Sequence, residues 1–412
     1  MAGYWKAGPS IMAQLARQAQ PNGVAQVIGH GFATAPVPAA RVNGMSMHVL
    51  DYEPMWSPAN HSLSPILPAL LAQAQQLEAD GAPPQGLSLL RALAKGVEVQ
   101  GRLRVASGQF EMPSMTLHPP GLVGPLAAAA ASATLLGLDA NRLAYAMGIA
   151  ASRVSGIMAN IGTMTKALHC GDSAAHGLEA AQLAAAGFTA DVDALGATRG
   201  YAATYFGARF DPSALLVPLH TPRVLSPGPA WKLFPSQYPT HFAITAALQL
   251  DARCRVVDDI AQIRVLTPVL PYTDRPSPRS GLDGKFSFQY CIAAALLDAK
   301  IGIPTFTDAR RFAPDMVALL PRITLRQTED IPGTFDRMRV EIEVEMRDGC
   351  VFRSVCESPV GSWSNPAPAQ RLEDKARDLL GSVLDARAHE DFWRLVGTPQ
   401  TMGVSGLMQL LR

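Results

Sequence analysis

No sign of charge predominates in this chain, and no motif in it marks a nucleotide, a metal or a disulfide frame. Lys plus Arg number 35 and Asp plus Glu 34 in 412 residues, for a net charge of +1. That balance excludes the broad positive field of a nucleic-acid binder. An anionic substrate must therefore be met by a few local cations. The five cysteines (Cys170, Cys254, Cys291, Cys350 and Cys356) are odd in number and form no CxxC pair. They read as reduced thiols of a cytoplasmic protein. HExxH, an EF-hand loop, GxGxxG, GxSxG and the P-loop pattern are all missing. Their absence favours side-chain acid–base chemistry over redox or phosphoryl transfer, so neither cofactor nor metal is expected. The opening MAGYWKAGPSIMAQLARQ lacks a secretory pattern. The alanine-rich run from Leu126 to Leu138 is too short to cross a bilayer, so a soluble protein is expected.

What is present is apolar side chain for a large core: 48% hydrophobic against 17% charged residues. Up to about Leu250 the texture is helical. Apolar residues recur at three and four from Ser62 to Ala79 and from Leu89 to Val99. Leu122 to Leu136 is almost wholly small and apolar, which suits a helix buried on all sides. Asn141–Ala151 and Ala174–Ala186 are further helices, with Gly187 as a stop. After Arg255 the alternation of strands appears at Gln262–Leu266, Arg322–Leu325, Met338–Met346 and Val351–Val355, with a hairpin turn at Arg347-Asp348-Gly349. Helices are expected at Phe288–Lys300 and Gln370–Leu380, and a hinge at Pro271–Gly284. The fold class is mainly α: a large all-helical domain over residues 1–255, a smaller α+β domain over 256–395, and a last segment, 396–412, returning to the helical domain.

Five clusters could carry chemistry. His48 and Asp51, three apart, would share a helical face. His61 follows a proline-containing loop on the same scaffold. His48 fits a packed role as well as a chemical one, and Asp51 could cap or pair. His118 stands before two prolines at the entry of the buried helix, where an imidazole is tuned by desolvation or simply packed. Gly162 to His169 sets Lys166 beside threonines in apolar surroundings, in the manner of an anion-holding loop. Lys232 repeats that pattern ahead of His241. Tyr290 stands at a helix start where a hydroxyl could meet a carboxylate. For both lysines the alternative is a stem packed in the core with its head in water.

Five stretches, in order, resemble the MmgE/PrpD family. They are Asn43-Gly44 with HVLDYEPMWSPANHSLSPILPALL; HPPGLVGPLAAAAASATLLGLD; ASRVSGIMANIGTMTKALHCGDSAAHGLEAAQLAAAGF; KLFPSQYPTHFAITAAL; and KFSFQYCIAAALLD. The resemblance implies a helical domain with an α+β lid and the site between them. It implies a homodimer without metal or organic cofactor, and a lyase acting on a small polycarboxylate. The family's chemistries are 2-methylcitrate dehydration, cis-aconitate decarboxylation and iminodisuccinate epimerisation. Dehydration is the first expectation, and epimerisation or mere binding of the polycarboxylate the rivals. Carried over by motif, Lys166, Lys232 and Tyr290 would bind substrate, His61 or His118 would move the proton, and Asp51 would tune one of them. His118 is preferred slightly over His61, and His48 and His176 are expected to be structural. The chain departs from the family at Glu53, Pro54 and Met55, where relatives are more polar, and at Gln237, where a His is common. Its start is also short for the family, so that an opening helix is expected to be missing.

Overall fold

The computed structural model describes residues 2–109, 115–217, 220–381, 383–398 and 403–411. Seven longer helices make the first part: α1 (Ala7–Ala19), α2 (Pro36–His48), α3 (Leu63–Ala79), α4 (Gly86–Ala106), α5 (Pro119–Leu135), α6 (Ala140–Ala151) and α7 (Thr165–Ala185). A short hairpin of β1 (Ala25–Val27) and β2 (Phe32–Thr34) lies between α1 and α2. The middle of the bundle is α5, buried from Pro119 through Ala133. Its alanines carry so little side chain that α4 and α7 approach closely on either side. Pro119 and Pro120 occupy the first helical positions, where a missing N–H costs nothing, and they fix His118 at the helix entrance.

α7 begins at Thr165, well before the expected Ala174. α2 ends at His48, and Asp51 lies beyond it with φ +52°. The two therefore do not share a helical face. The helix stops first, and the chain turns through a left-handed residue.

The second core is built on a four-stranded sheet in the order β4 (Ile323–Thr328), β3 (Ile260–Pro268), β5 (Val340–Met346), β6 (Val351–Cys356). β3 and β4 are parallel and the other pairs antiparallel. In β5, VEIEVEM buries every valine, isoleucine and methionine and turns its glutamates outward. The helices Tyr238–Leu248 and Phe288–Asp298 pack on this sheet and supply Phe242, Ile244, Tyr290 and Ile292 to its core. The second core thus takes in a helix that lies before Val256.

The segment expected to be a hinge is tied down instead. Arg275 pairs with Asp283 and donates to the Ile161 carbonyl at 3.2 Å, across the two cores. At the chain end, the helix Val404–Leu410 packs on α3 through Val404, Leu407 and Met408, and Ser405 donates to Glu78 at 2.6 Å. Residues 399–402 and 412 of the last segment lie outside those described. Among the described residues, no helix is long and apolar enough to cross a membrane.

Candidate active site

Asp51 is the centre on which the two halves converge. It is 2% exposed. Lys166, on the first turn of α7, reaches its Oδ2 at 2.7 Å, and Lys232 pairs with its Oδ1. The left-handed turn splays the carbonyls of residues 50–52 outward, and each receives a lysine from a different segment. Lys285 donates to Leu50 O at 2.6 Å, Lys232 to Asp51 O at 3.2 Å, and Lys375 to Tyr52 O at 2.7 Å. Burial works against a charge on Asp51, yet the two lysines outweigh it and hold the carboxyl well below the usual range.

The two central lysines are not equivalent. Lys232 is 0% exposed and donates to Asp51 Oδ1, Asp51 O and Ser236 O, so all three of its N–H groups are engaged. Lys166 is 7% exposed and its ammonium has one hydrogen-bond acceptor among the described residues, Asp51. It keeps donors for a ligand.

Four histidines meet beside this centre. The rings of His48 and His61 stand 4.7 Å apart, those of His48 and His118 5.8 Å, and those of His118 and His169 5.3 Å. His118 Nδ1 and His169 Nδ1 are 3.2 Å apart. Burial, with the lysines nearby, holds His48 and His118 well below an ordinary imidazole. His61 is lowered well below it too, mainly by burial and against the pull of Glu53. Neutral rings are the resting state, ready to take a proton when an anion arrives.

Asp51, Lys166, Lys232, His61 and His118 line one cleft. Apolar Met55, Met115, Met158, Ile161 and Phe335 and polar Asn60, Gln237 and Tyr238 line it as well.

Five of the six residues singled out by sequence come together here. Tyr290 does not: it is fully buried in the second core, and its hydroxyl donates to Thr305 O at 2.5 Å. The apolar run in which it stands turned it into the sheet's core, away from the cleft. His48, expected to be structural, sits in the histidine cluster and is held there by Glu53. Glu53, His169 and Lys285 also belong to the site's surroundings. Glu53 lies two positions after Asp51, a carboxylate in an apolar stretch, which was the available signal. His169 and Lys285 carry no such mark.

Donor atoms of His48, Glu53 and His61 lie within 4.8 Å of one another, the spacing of a metal trio. The contact of His48 Nδ1 with Glu53 Oε1, however, is 2.6 Å. Two ligands of one tetrahedral ion, each about 2.0–2.1 Å from it, stand about 3.3 Å apart. The pair fits a hydrogen bond better than a shared ion.

Comparison with known proteins gives matches to both parts of the chain. A model of the MmgE/PrpD N-terminal domain matches residues 1–213 and one of the MmgE/PrpD C-terminal domain residues 234–397. Cis-aconitate decarboxylase of Homo sapiens is 34% identical over 371 residues, covering 88% of this chain and 76% of that protein. The Mus musculus enzyme of the same name is 33% identical over 366 residues, 86% of this chain and 73% of its own. That of Aspergillus terreus is 26% identical over 419 residues, 95% and 84%.

Proposed function

The chain belongs to the MmgE/PrpD family and is a lyase of that kind, and from this we propose that it decarboxylates a small, unsaturated polycarboxylate of the cis-aconitate type. The observation that carries the choice is the lining of the cleft: a lysine with free donors and two histidines held neutral share it with Met55, Met115, Met158, Ile161 and Phe335. Lys166 receives one substrate carboxylate, while Asp51 and Lys232 hold the floor rigid. The carboxylate to be lost faces Met55, Met115, Met158 and Phe335. Charge there is poorly solvated, and the departing CO₂ is neutral.

In the reaction the C–C bond to that carboxylate breaks and CO₂ leaves. The electron pair passes to the carbon chain, delocalised toward a remaining carboxylate. An imidazolium N–H then delivers the proton. Arrival of the anionic substrate raises the histidine pKa and charges the ring, so substrate binding supplies the acid. Such a positioned acid contributes about 10²–10⁴-fold. Dehydration, the first expectation from sequence, would use Asn60, Gln237 or Tyr238 of the same lining at the leaving hydroxyl, and product detection decides between the two.

The same reading has the protein working as a homodimer in the cytoplasm, with neither metal nor organic cofactor. Four of its five unpaired cysteines are buried, in keeping with a reducing compartment.

The test offers cis-aconitate and, separately, citrate in heavy water, with CO₂ and product followed. CO₂ release from cis-aconitate with one deuterium bound to product carbon is expected. Loss of water from the hydroxy acid with no CO₂ from either would return the reaction to dehydration, and no turnover of either would remove the substrate class.

A further inference from the structure

Glu53 has no part in the scheme above, yet it is buried against the histidines. It is 6% exposed. Its Oε2 accepts the Ser64 N–H at 2.9 Å, and its Oε1 accepts the Ser64 hydroxyl at 2.6 Å. The same Oε1 lies 2.6 Å from His48 Nδ1 and 3.5 Å from His61 Nδ1. On the other side of the His61 ring, Nε2 stands 3.7 Å from Asp51 Oδ1, and the ring lines the cleft. His61 thus has one nitrogen toward a pinned carboxylate and the other toward the place where substrate sits.

We propose that Glu53 is a positioning residue that keeps a proton on Nδ1 of His61, so that the proton exchanged with substrate is carried on Nε2, and His61 rather than His118 is the transferring group. A neutral imidazole bears one N–H, and the carboxylate decides which nitrogen holds it. When His61 becomes charged, Nδ1–H faces Glu53 and Nε2–H faces the cleft and Asp51, so the imidazolium is flanked by two carboxylates. His118 has no such flank: its partner is His169, another imidazole. A second charge there meets Lys166, His48, His169 and His61, each of which opposes it. The groups facing His61 are Glu53 and Asp51, which favour its charge, and Lys232, His48 and His118, which oppose it. At 3.5 Å His61 Nδ1 makes no hydrogen bond among the described residues, and Glu53 Oε1 is the carboxylate it closes on when substrate binds, as catalytic contacts often tighten at that stage.

The proposal rests on the reading that a histidine of this cleft moves a proton, but its first measurement needs no substrate. Nitrogen-15 NMR of the whole protein labelled at histidine, with His61→Asn to assign the signal, reports the tautomer. His61 is expected to carry its proton on Nδ1 in the wild type and to shift toward Nε2–H in Glu53→Gln. With substrate, Glu53→Gln should lose about 10²–10³-fold in kcat with KM nearly unchanged, and Glu53→Asp should recover part of it. A wild-type His61 protonated on Nε2 overturns the proposal, and so does a Glu53→Gln variant with normal kcat. Loss of melting temperature with an unmoved His61 tautomer would leave Glu53 a structural role and overturn it as well. If Glu53→Gln does not fold, the wild-type tautomer and the Glu53→Asp kinetics decide. If the wild type turns over no polycarboxylate, the decarboxylase reading falls, and the nitrogen signals still judge Glu53.

Discussion

Lys232 and Lys166 touch the same carboxylate and should answer mutation differently. Every N–H of Lys232 is engaged inside the protein, on Asp51 and Ser236, and the side chain has no contact with solvent. Removing it leaves Asp51 buried with half its compensation, and breaking one side of a buried pair costs about 3–5 kcal/mol. Lys232→Ala should therefore lower the melting temperature strongly. Lys166→Ala also leaves Asp51 with one lysine, but it removes a single hydrogen bond at a slightly exposed position, so it should lower the melting temperature less than Lys232→Ala while raising KM about tenfold or more, as one charge-assisted contact of about 1.5–3 kcal/mol to substrate is lost. Calorimetry and steady-state kinetics on both variants check this; equal melting losses would return both lysines to the same structural role. These residues were legible in the sequence because a charge inside an apolar run needs a reason. His169 was not, since its meaning comes from His118, 51 positions away. Lys285 was not either, because its acceptor is a backbone carbonyl 235 positions earlier, and backbone direction is invisible to side-chain pattern.

Among the elements, α7 positions more of the site than any other described helix, presenting Lys166, His169 and Ser173 at helical spacing toward α5 and the cleft. Its start was misplaced from sequence because TKALHCGD mixes polar and small residues. Apolar periodicity assumes that the polar face looks to water, and here it looks into the site. The Ala/Leu helices α3 to α6 and strand β5 have one apolar side and one wet or uniformly buried side, and their periods were readable. The hairpin of β1 and β2, three residues to a strand, is too short to show one. The closeness of α7 to α5 depends on Gly177, where an added Cβ would overlap Ala128 Cβ and meet Pro125 O at 2.5 Å. Gly177→Ala gains about 1 kcal/mol of helix propensity but over-packs the interface, which costs about 1–3 kcal/mol. Since part of the obstacle is backbone, the second effect should win. A net loss of up to about 2 kcal/mol in urea unfolding is expected, with reduced turnover because α7 carries Lys166 and His169. A stabilised variant would show that the two helices part without strain.

Over the whole molecule, the buried charges that join the two cores give the stability an uncommon dependence on pH. His48, His61, His118 and His241 are held well below their ordinary value of 6.5, by burial first and then by lysines nearby at His48, His118 and His241 and against Glu53 at His61. As pH falls below 6.5 the unfolded chain binds protons at these rings and the folded protein does not, so stability falls. Lys285 and Lys375 are pushed from 10.5 down to about 7, again by burial first. Above pH 7 the folded protein has released protons that the unfolded lysines keep up to 10.5, so stability rises with pH across that window. The two effects point the same way. Two kinds of group oppose them: Glu53, whose carboxyl is raised by burial above its ordinary value of 4.5, and the buried thiols, since Cys291 and Cys356 are raised from 9 to about 12 and about 11, so that above pH 9 the unfolded chain loses protons that the fold retains. Stability should therefore climb from about pH 5 to about pH 9 and then level, instead of peaking between about 5 and 8 as is usual. Urea midpoints measured at about pH 5, 7 and 9 and fixed ionic strength test the climb. Lys285→Met provides the assignment. It loses the bond to Leu50 O and should be weaker at every pH, but its rise between pH 7 and 9 should be shallower than that of the wild type. A wild-type midpoint highest at neutral pH, or an unchanged slope in Lys285→Met, would mean that Lys285 keeps its proton in the fold and that the lysines around residues 50–52 bind those carbonyls as charged groups.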